Sequence, residues 1–370
     1  MSRLLDSAAD VMGVEARAGR ENVNSETRED ISTVSALLPA EFGIEPFGLT
    51  AGPLGTATRN YIAQDTRGKR WFVKVYPPST DLTAERRALE LAEFAGRTGV
   101  PVTVAKRTWN GSLITATGDV ALSVHAYLDG TETAEGGLRG ERWPAVGAVV
   151  GRLHRGLAEH PVSRPARLVP SEEVCQFPDA RRRLTALIAR YEALTPRTDF
   201  ERWALETARE RLAALPDIAR ALWELPARMA VQVVHGDLTG PNLLLRGDDV
   251  AAVIDFRPPE PRSPVWELGR ILTDAQTVCG EPDWLSGLVR AVSAYHAANP
   301  SLPTAELTSV LRVTTGYLAS SVYPLRVPLD RPEATPSSFE AYGYARHKAA
   351  GVLLEHLEDA EAELRKELTS

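Results

Sequence analysis

Two cysteines in 370 residues, Cys175 and Cys279, leave little room for thiol chemistry. They sit in unrelated contexts with no paired spacing, which argues for buried or idle thiols over a disulfide or a metal site. No apolar run is long enough to span a bilayer, and the start, Met1 to Asp6, lacks a signal-peptide core. No basic face stands out either, and a net charge of −7 argues against a general nucleic-acid binder. That charge weakly favours a neutral or cationic small partner, although solubility explains it equally well. Internal repeats and low-complexity tracts are missing. The expectation is a cytoplasmic protein with neither nucleic-acid nor membrane partners. What is there is ordinary for a chain that buries a core: 44% hydrophobic and 25% charged residues, with length for two domains.

Residues 1–45 read as an amino-terminal arm. Glu15 to Thr33 is polar and charge-rich, which predicts mobility, and Ser35 to Phe42 reads as a short amphipathic entry into the folded part. Phe47 to Tyr76 reads as a sheet. Within it, Leu49 to Asn60 is small and contains Gly52 and Gly55, so its backbone N–H groups can approach phosphate oxygens; an ordinary hairpin turn fits as well. Thr56 and Thr58 are candidate hydroxyl donors there. Trp71 to Tyr76 is a strand with one lysine, Lys74, among apolar neighbours, and a lysine so placed needs partners for its ammonium. After Pro77-Pro78 a helix is expected over Ala84 to Arg97, capped by Thr83. Glu85 precedes Ala88, Leu89 and Ala92 at helical spacing and shares their face, whereas Glu90 and Glu93 read as solvated.

The most informative stretch runs from His235 to Asp255. Asp237 and Asn242 lie five positions apart, and Asn242 opens the apolar run to Leu245. Arg246 to Asp249 supplies a turn, and Val250 to Ile254 returns as a strand that delivers Asp255. A hairpin folded at Gly247-Asp248 brings Asn242 and Asp255 together, an amide oxygen and a carboxylate that suit one Mg²⁺. Asp237, just upstream, is free to orient a hydroxyl. Base-like Asp, metal-binding Asn and metal-binding Asp are the division of labour of ATP-dependent phosphoryl transfer.

These residues resemble the aminoglycoside phosphotransferase and choline kinase family, the small-molecule branch of the protein-kinase-like fold. The family's His-Gly-Asp-x-x-x-x-Asn loop is similar to His235 to Asn242, and its Ile-Asp-Phe strand to Ile254-Asp255-Phe256. Its Pro-x-x-Asp-Leu-Ala helix start resembles Pro264 to Gly269, with Glu267 standing where aspartate is usual. That acid braces the catalytic loop in the family, so the extra methylene has to be absorbed. The resemblance implies an α+β, two-lobed fold: an antiparallel-sheet N-lobe over 46–129 and a helical C-lobe over 130–370, with ATP and Mg²⁺ in the cleft. It implies that Lys74 contacts the ATP phosphates and pairs with Glu85, that Gly52 and Gly55 belong to the phosphate loop, and that His125, Ala126 and Tyr127 offer backbone groups to adenine. Val146 to Leu157 resembles the first large-lobe helix, with His154 structural. The resemblance also implies that the helical insertion from Arg164 to Arg228 shapes an acceptor pocket. Arg257 replaces the glycine that follows Asp-Phe in protein kinases, so no flip of that segment is expected.

The implied activity is transfer of the γ-phosphoryl group of ATP to a hydroxyl of a small metabolite or natural product. Two alternatives stay open: a kinase acting on Ser or Thr of a peptide precursor, and a pseudokinase that binds nucleotide or a partner without turnover.

Overall fold

The computed structural model describes residues 31–53, 58–194, 198–330 and 337–369. The mobility expected of Glu15 to Thr33 falls almost wholly on residues 1–30, and the phosphate-loop assignments of Gly55 and Thr56 on residues 54–57; both lie outside the described residues.

The chain divides into two compact units. The first comprises the described residues up to Leu89 together with Thr103–Asp129; the second comprises Glu90–Val102 and Gly130 onward. The first is built on five antiparallel strands: β1 (Pro46–Ala51), β2 (Arg59–Asp65), β3 (Arg70–Tyr76), β4 (Thr115–Thr117) and β5 (Val120–Ala126), in the order β1-β2-β3-β5-β4. Alternation sets the faces. Val73 and Val75 point into a core with Tyr61, Ala63, Leu122 and Val124. That core is closed by Val34, Leu37, Leu38 and Phe42 of helix α1 (residues 31–42). The end of the expected arm is therefore integral to the first unit: four large apolar side chains at helical spacing have a sheet face to cover.

Helix α2 spans Leu82–Arg97. Its cap is Asp81, whose carboxylate accepts from Thr83 N at 2.9 Å and Ala84 N at 3.1 Å. Thr83, expected as the cap, lies inside the first turn, because an aspartate two residues earlier satisfies the same orphan donors better. Leu82 and Leu89 pack against Tyr76, Ile114 and Ala121.

The second unit is mostly helical. Its helices are α3 (Arg142–Leu157), α4 (Ser171–Val174), α5 (Ala180–Glu192), α6 (Asp199–Leu222), α7 (Pro264–Leu272), α8 (Ala275–Gly280) and α9 (Trp284–Ala298), then α10 (Thr304–Thr308), α11 (Val310–Ser320), α12 (Val327–Asp330), α13 (Ser337–Glu355) and α14 (Leu357–Thr369). Helix α6 starts at a capping box, Thr198 with Glu201, and runs through Pro216 to Leu222. Helices α3 and α9 meet where glycines permit: a Cβ on Gly147 would stand 2.0 Å from the Ala291 carbonyl oxygen, and one on Gly151 2.7 Å from that of Tyr295. A buried ion pair, Arg312 Nε to Glu361 Oε1 at 2.6 Å, ties α11 to α14.

Two small sheets complete the second unit. Strands β6 (Glu132–Thr133), β9 (Leu243–Arg246) and β10 (Asp249–Val253) form one; β7 (Arg167–Pro170), β8 (Arg228–Val233) and β11 (Pro261–Arg262) form the other. Among the described residues no helix is long and apolar enough to cross a membrane. Both thiols are quiet: burial pushes Cys175 up to about 12, and the half-buried Cys279 is raised by the same cause.

Candidate active site

The catalytic-loop candidates all fall in the second unit. Strands β9 and β10 pair with Arg246 opposite Asp249 and Leu243 opposite Val253. The turn is therefore the two residues Gly247-Asp248, and Gly247 takes φ +63, a conformation that favours glycine. Ile254 N donates to the Asn242 carbonyl at 3.0 Å, so the hairpin brings Asn242 beside the start of Ile254-Asp255. Asp255 itself adopts φ +62, which few side chains but Asn and Asp tolerate. Both flanks are pinned: the His235 ring bonds the Ile254 carbonyl at 2.7 Å, and Arg257 N donates to the His235 carbonyl at 2.9 Å.

Glu267 on α7 is the brace of the loop. Although it is fully buried, its Oε2 accepts from His235 N at 2.9 Å and its Oε1 from Gly236 N at 2.7 Å. His154 Nε2 donates to Oε2 at 3.0 Å. Behind it, His154 Nδ1 and the Tyr295 hydroxyl share a bond of 2.9 Å, and Asn299 Nδ2 donates to that hydroxyl at 3.2 Å. The longer side chain of glutamate thus still reaches two consecutive amides. Burial drives its carboxyl up, but the His154 hydrogen bond, the nearby imidazoles and the Gly236 amide outweigh it and hold the group below its ordinary value. Gly236 has φ +90, and a Cβ there would stand 2.8 Å from Arg257 Cβ, so the turn requires glycine.

The loop ends on Asp237, whose side chain is 35% exposed. Asn242 Nδ2 donates to the Asp237 carbonyl at 2.8 Å, leaving the Asn242 amide oxygen for another partner. Two guanidinium groups meet the carboxylate: Arg257 at Oδ2 and Arg270 at Oδ1, each at 3.2 Å. Arg270 also lies 4.8 Å from the centre of the Trp266 ring. The sequence singles out Arg257 only as the replacement of a glycine, and no local pattern marks Arg270 or the contact of either arginine with Asp237.

His235 is fixed in one tautomer. Its Nδ1 accepts from Asp237 N at 3.2 Å, so Nε2 carries the hydrogen given to Ile254. Burial pushes this imidazole below its ordinary value, against the opposing pull of Glu267. The sign of the pH effect follows. Below about 6.5 the unfolded chain takes up a proton that the folded state refuses, so stability is full above that pH and falls as pH drops. The half-buried His347 shifts the same way, also through burial. The melting temperature should decline below about pH 6.5, with a smaller slope in His235→Gln and in His347→Gln. An unchanged slope in both would remove these histidines from the acid response.

In the first unit, Lys74 is half-buried on β3, on the face opposite Val73 and Val75, with Ser123 as its cross-strand partner. Glu85 on α2 is half-buried, as is Glu93, and only Glu90 is exposed. The reading that put Glu93 with Glu90 in solvent holds for Glu90 alone. Gly52 is clasped by Asn60: its N–H donates to the Asn60 carbonyl at 2.8 Å, and a Cβ would stand 3.1 Å from that carbonyl carbon. Thr58 spends its hydroxyl on Asn60 Oδ1 at 2.9 Å, and Asn60 Nδ2 donates to Pro53 O at 2.9 Å.

The backbone groups of His125 and Tyr127 are partly taken within the sheet. The Tyr127 N–H is taken by the Arg70 carbonyl at 3.2 Å. His125 pairs with Phe72 on one side and bridges Ala105 on the other, next to Lys106 N on the Val124 carbonyl at 2.7 Å. The segment 105–106 covers the outer edge of β5 at Val124 and His125. The buried His125 ring meets Ser123 Oγ at 3.2 Å.

Among the described residues no group of three or more His, Cys, Asp or Glu could hold a metal by itself. Asn242 with Asp255 still fits Mg²⁺, which takes one or two protein oxygens and completes its shell with phosphate and water.

A profile of the phosphotransferase enzyme family matches residues 49–301, and the chain belongs to that family. No curated protein gives a significant match. Solved structures of similar fold include a spectinomycin phosphotransferase in complex with ADP and spectinomycin (TM-score 0.64, 14% identity, 87% of this chain and 97% of that one). They also include an amicoumacin kinase in complex with AMP-PNP, Ca²⁺ and Ami (0.59, 16%, 89% and 95%). A Plasmodium vivax ethanolamine kinase matches at 0.52 with 11% identity over 82% of both chains. The fold is protein-kinase-like, and the protein is a phosphotransferase with an alcohol group as acceptor.

Proposed function

We propose that the donor is ATP with Mg²⁺, and that the acceptor is a hydroxyl on a small metabolite or natural product. The observation that supports this most is the brace: one buried carboxylate, Glu267, grips two successive amides and so presents Asp237 in a fixed pose. In this reading Asp237 accepts a hydrogen bond from the acceptor hydroxyl, aims its oxygen and takes its proton as the new P–O bond forms. Arg270 and Arg257 hold the Asp237 carboxylate in place. Asn242 through its amide oxygen and Asp255 through its carboxylate hold the metal. When bound, Mg²⁺ supplies charge neutralisation at the phosphate oxygens. Lys74 contacts the phosphates, Glu85 orients Lys74, and the backbone near Gly52 approaches the nucleotide. Positioning and charge stabilisation carry most of the rate.

Thermal shift with ATP, with and without Mg²⁺, followed by transfer of label from ATP to hydroxylated antibiotics and amino alcohols, tests the reading. Stabilisation that needs both components, together with label on an acceptor, is expected. Nucleotide binding with no transfer and no hydrolysis would make the protein a binding module instead.

A further inference from the structure

The second unit holds a cavity of about 490 Å³ that none of Asp237, Asn242 and Asp255 lines. Its size suits a small organic molecule. Val169, Val231 and Pro261 are its apolar lining, Arg167 and Arg262 its basic residues beside Glu173 and Glu260, and Ser263 and Trp266 its buried ones.

The two buried residues offer donors. Ser263 is the cap residue of α7, yet its side chain caps nothing. Its Oγ and the indole Nε1 of Trp266 are both buried without a hydrogen-bond partner, in side chains each only 3% exposed. Buried polar groups left unsatisfied are costly and rare. An indole N–H can only donate, and the amino terminus of a helix carries its positive end, although α7 opens on Pro264, which has no N–H to offer. Glu260, 3.0 Å from Arg262, and Glu173 are exposed wall residues and do not alter the donor character of the buried pair.

We propose that this cavity binds the carboxylate of a small organic acid, with the anion received by Ser263, Trp266 and Arg262 and the apolar body lying against Val169, Val231 and Pro261. The occupant sits one indole away from the site described above, because Trp266 also carries Arg270, which bonds Asp237.

Indole ¹H–¹⁵N spectra of the full chain test this with benzoate as probe and benzamide as its neutral counterpart. The Trp266 signal is identified by its loss in Trp266→Phe. Benzoate should move it, and benzamide at equal concentration should move it far less. Arg262→Gln should weaken benzoate roughly tenfold, and Ser263→Ala about threefold, the scale of lost charge-assisted and neutral hydrogen bonds. The other six of the seven tryptophan signals report whether each variant is folded. Equal responses to benzoate and benzamide, an unmoved Trp266 signal, or undiminished binding in both folded variants would overturn the proposal. The titration needs neither nucleotide nor turnover, so its failure and that of the phosphotransfer reading are separate events. Once an acceptor is in hand, benzoate competing with it would show that the acceptor brings the carboxylate; benzoate altering turnover without competing would show a separate acid. Either pattern supports the site.

Discussion

Asp237→Asn is expected to lower kcat by about 10²-fold or more, the usual scale for a positioned acid–base group, with ATP affinity nearly unchanged. Asparagine has the same size and leaves an amide oxygen that can still face one of the two guanidinium groups, Arg257 or Arg270. The loop itself is held by the Asp237 backbone carbonyl and by Glu267, which the substitution leaves alone. What is lost is the charge and the site for the acceptor's proton. Steady-state kinetics on an identified acceptor, with a separate ATP titration, makes the measurement. Near-normal turnover would remove Asp237 from the chemistry.

The second large effect is expected at the metal pair. Asp255→Ala should abolish turnover and weaken Mg²⁺-dependent ATP binding, because it removes the anionic ligand. Asn242→Ala removes a neutral ligand, and raised Mg²⁺ or Mn²⁺ should restore part of its activity. The restoration has to be incomplete for a structural reason: Asn242 Nδ2 also holds the Asp237 carbonyl, so the variant loosens the base as well as the metal site. Metal titrations of both variants separate these contributions. Equal, metal-independent defects would point to a misfolded hairpin, and unchanged metal dependence in Asp255→Ala would exclude that residue as a ligand.

Much of this was readable in the sequence because the signals are local. The hairpin follows from a Gly-Asp turn between two apolar runs, and the start of α7 from the resemblance of Pro264 to Gly269 to the family's helix start. The sheet order places Lys74 where alternation puts it, between two core valines. The rest depends on residues distant in the chain. Arg270 reaches Asp237 across 33 positions and His154 reaches Glu267 across 113, and no spacing rule connects either pair. Which backbone groups of β5 stay available depends likewise on segment 105–106, which carries no strand pattern of its own. The Asp81 cap was missed by two positions because Thr83 is also a competent cap residue.

Arg257 stands where a protein kinase has glycine, and its tethers bear on inhibitor design. Its amide is tied to the His235 carbonyl, its guanidinium to Asp237, and its Cβ lies close to Gly236. The neighbouring Phe256 ring lies against the His235 ring, tilted, with 4.4 Å between their centres. A compound that acts by swinging the Asp255-Phe256 segment outward would first have to break these ties, at a cost drawn from its own affinity. Compounds that leave this segment in place and compete for the nucleotide or the acceptor escape that cost.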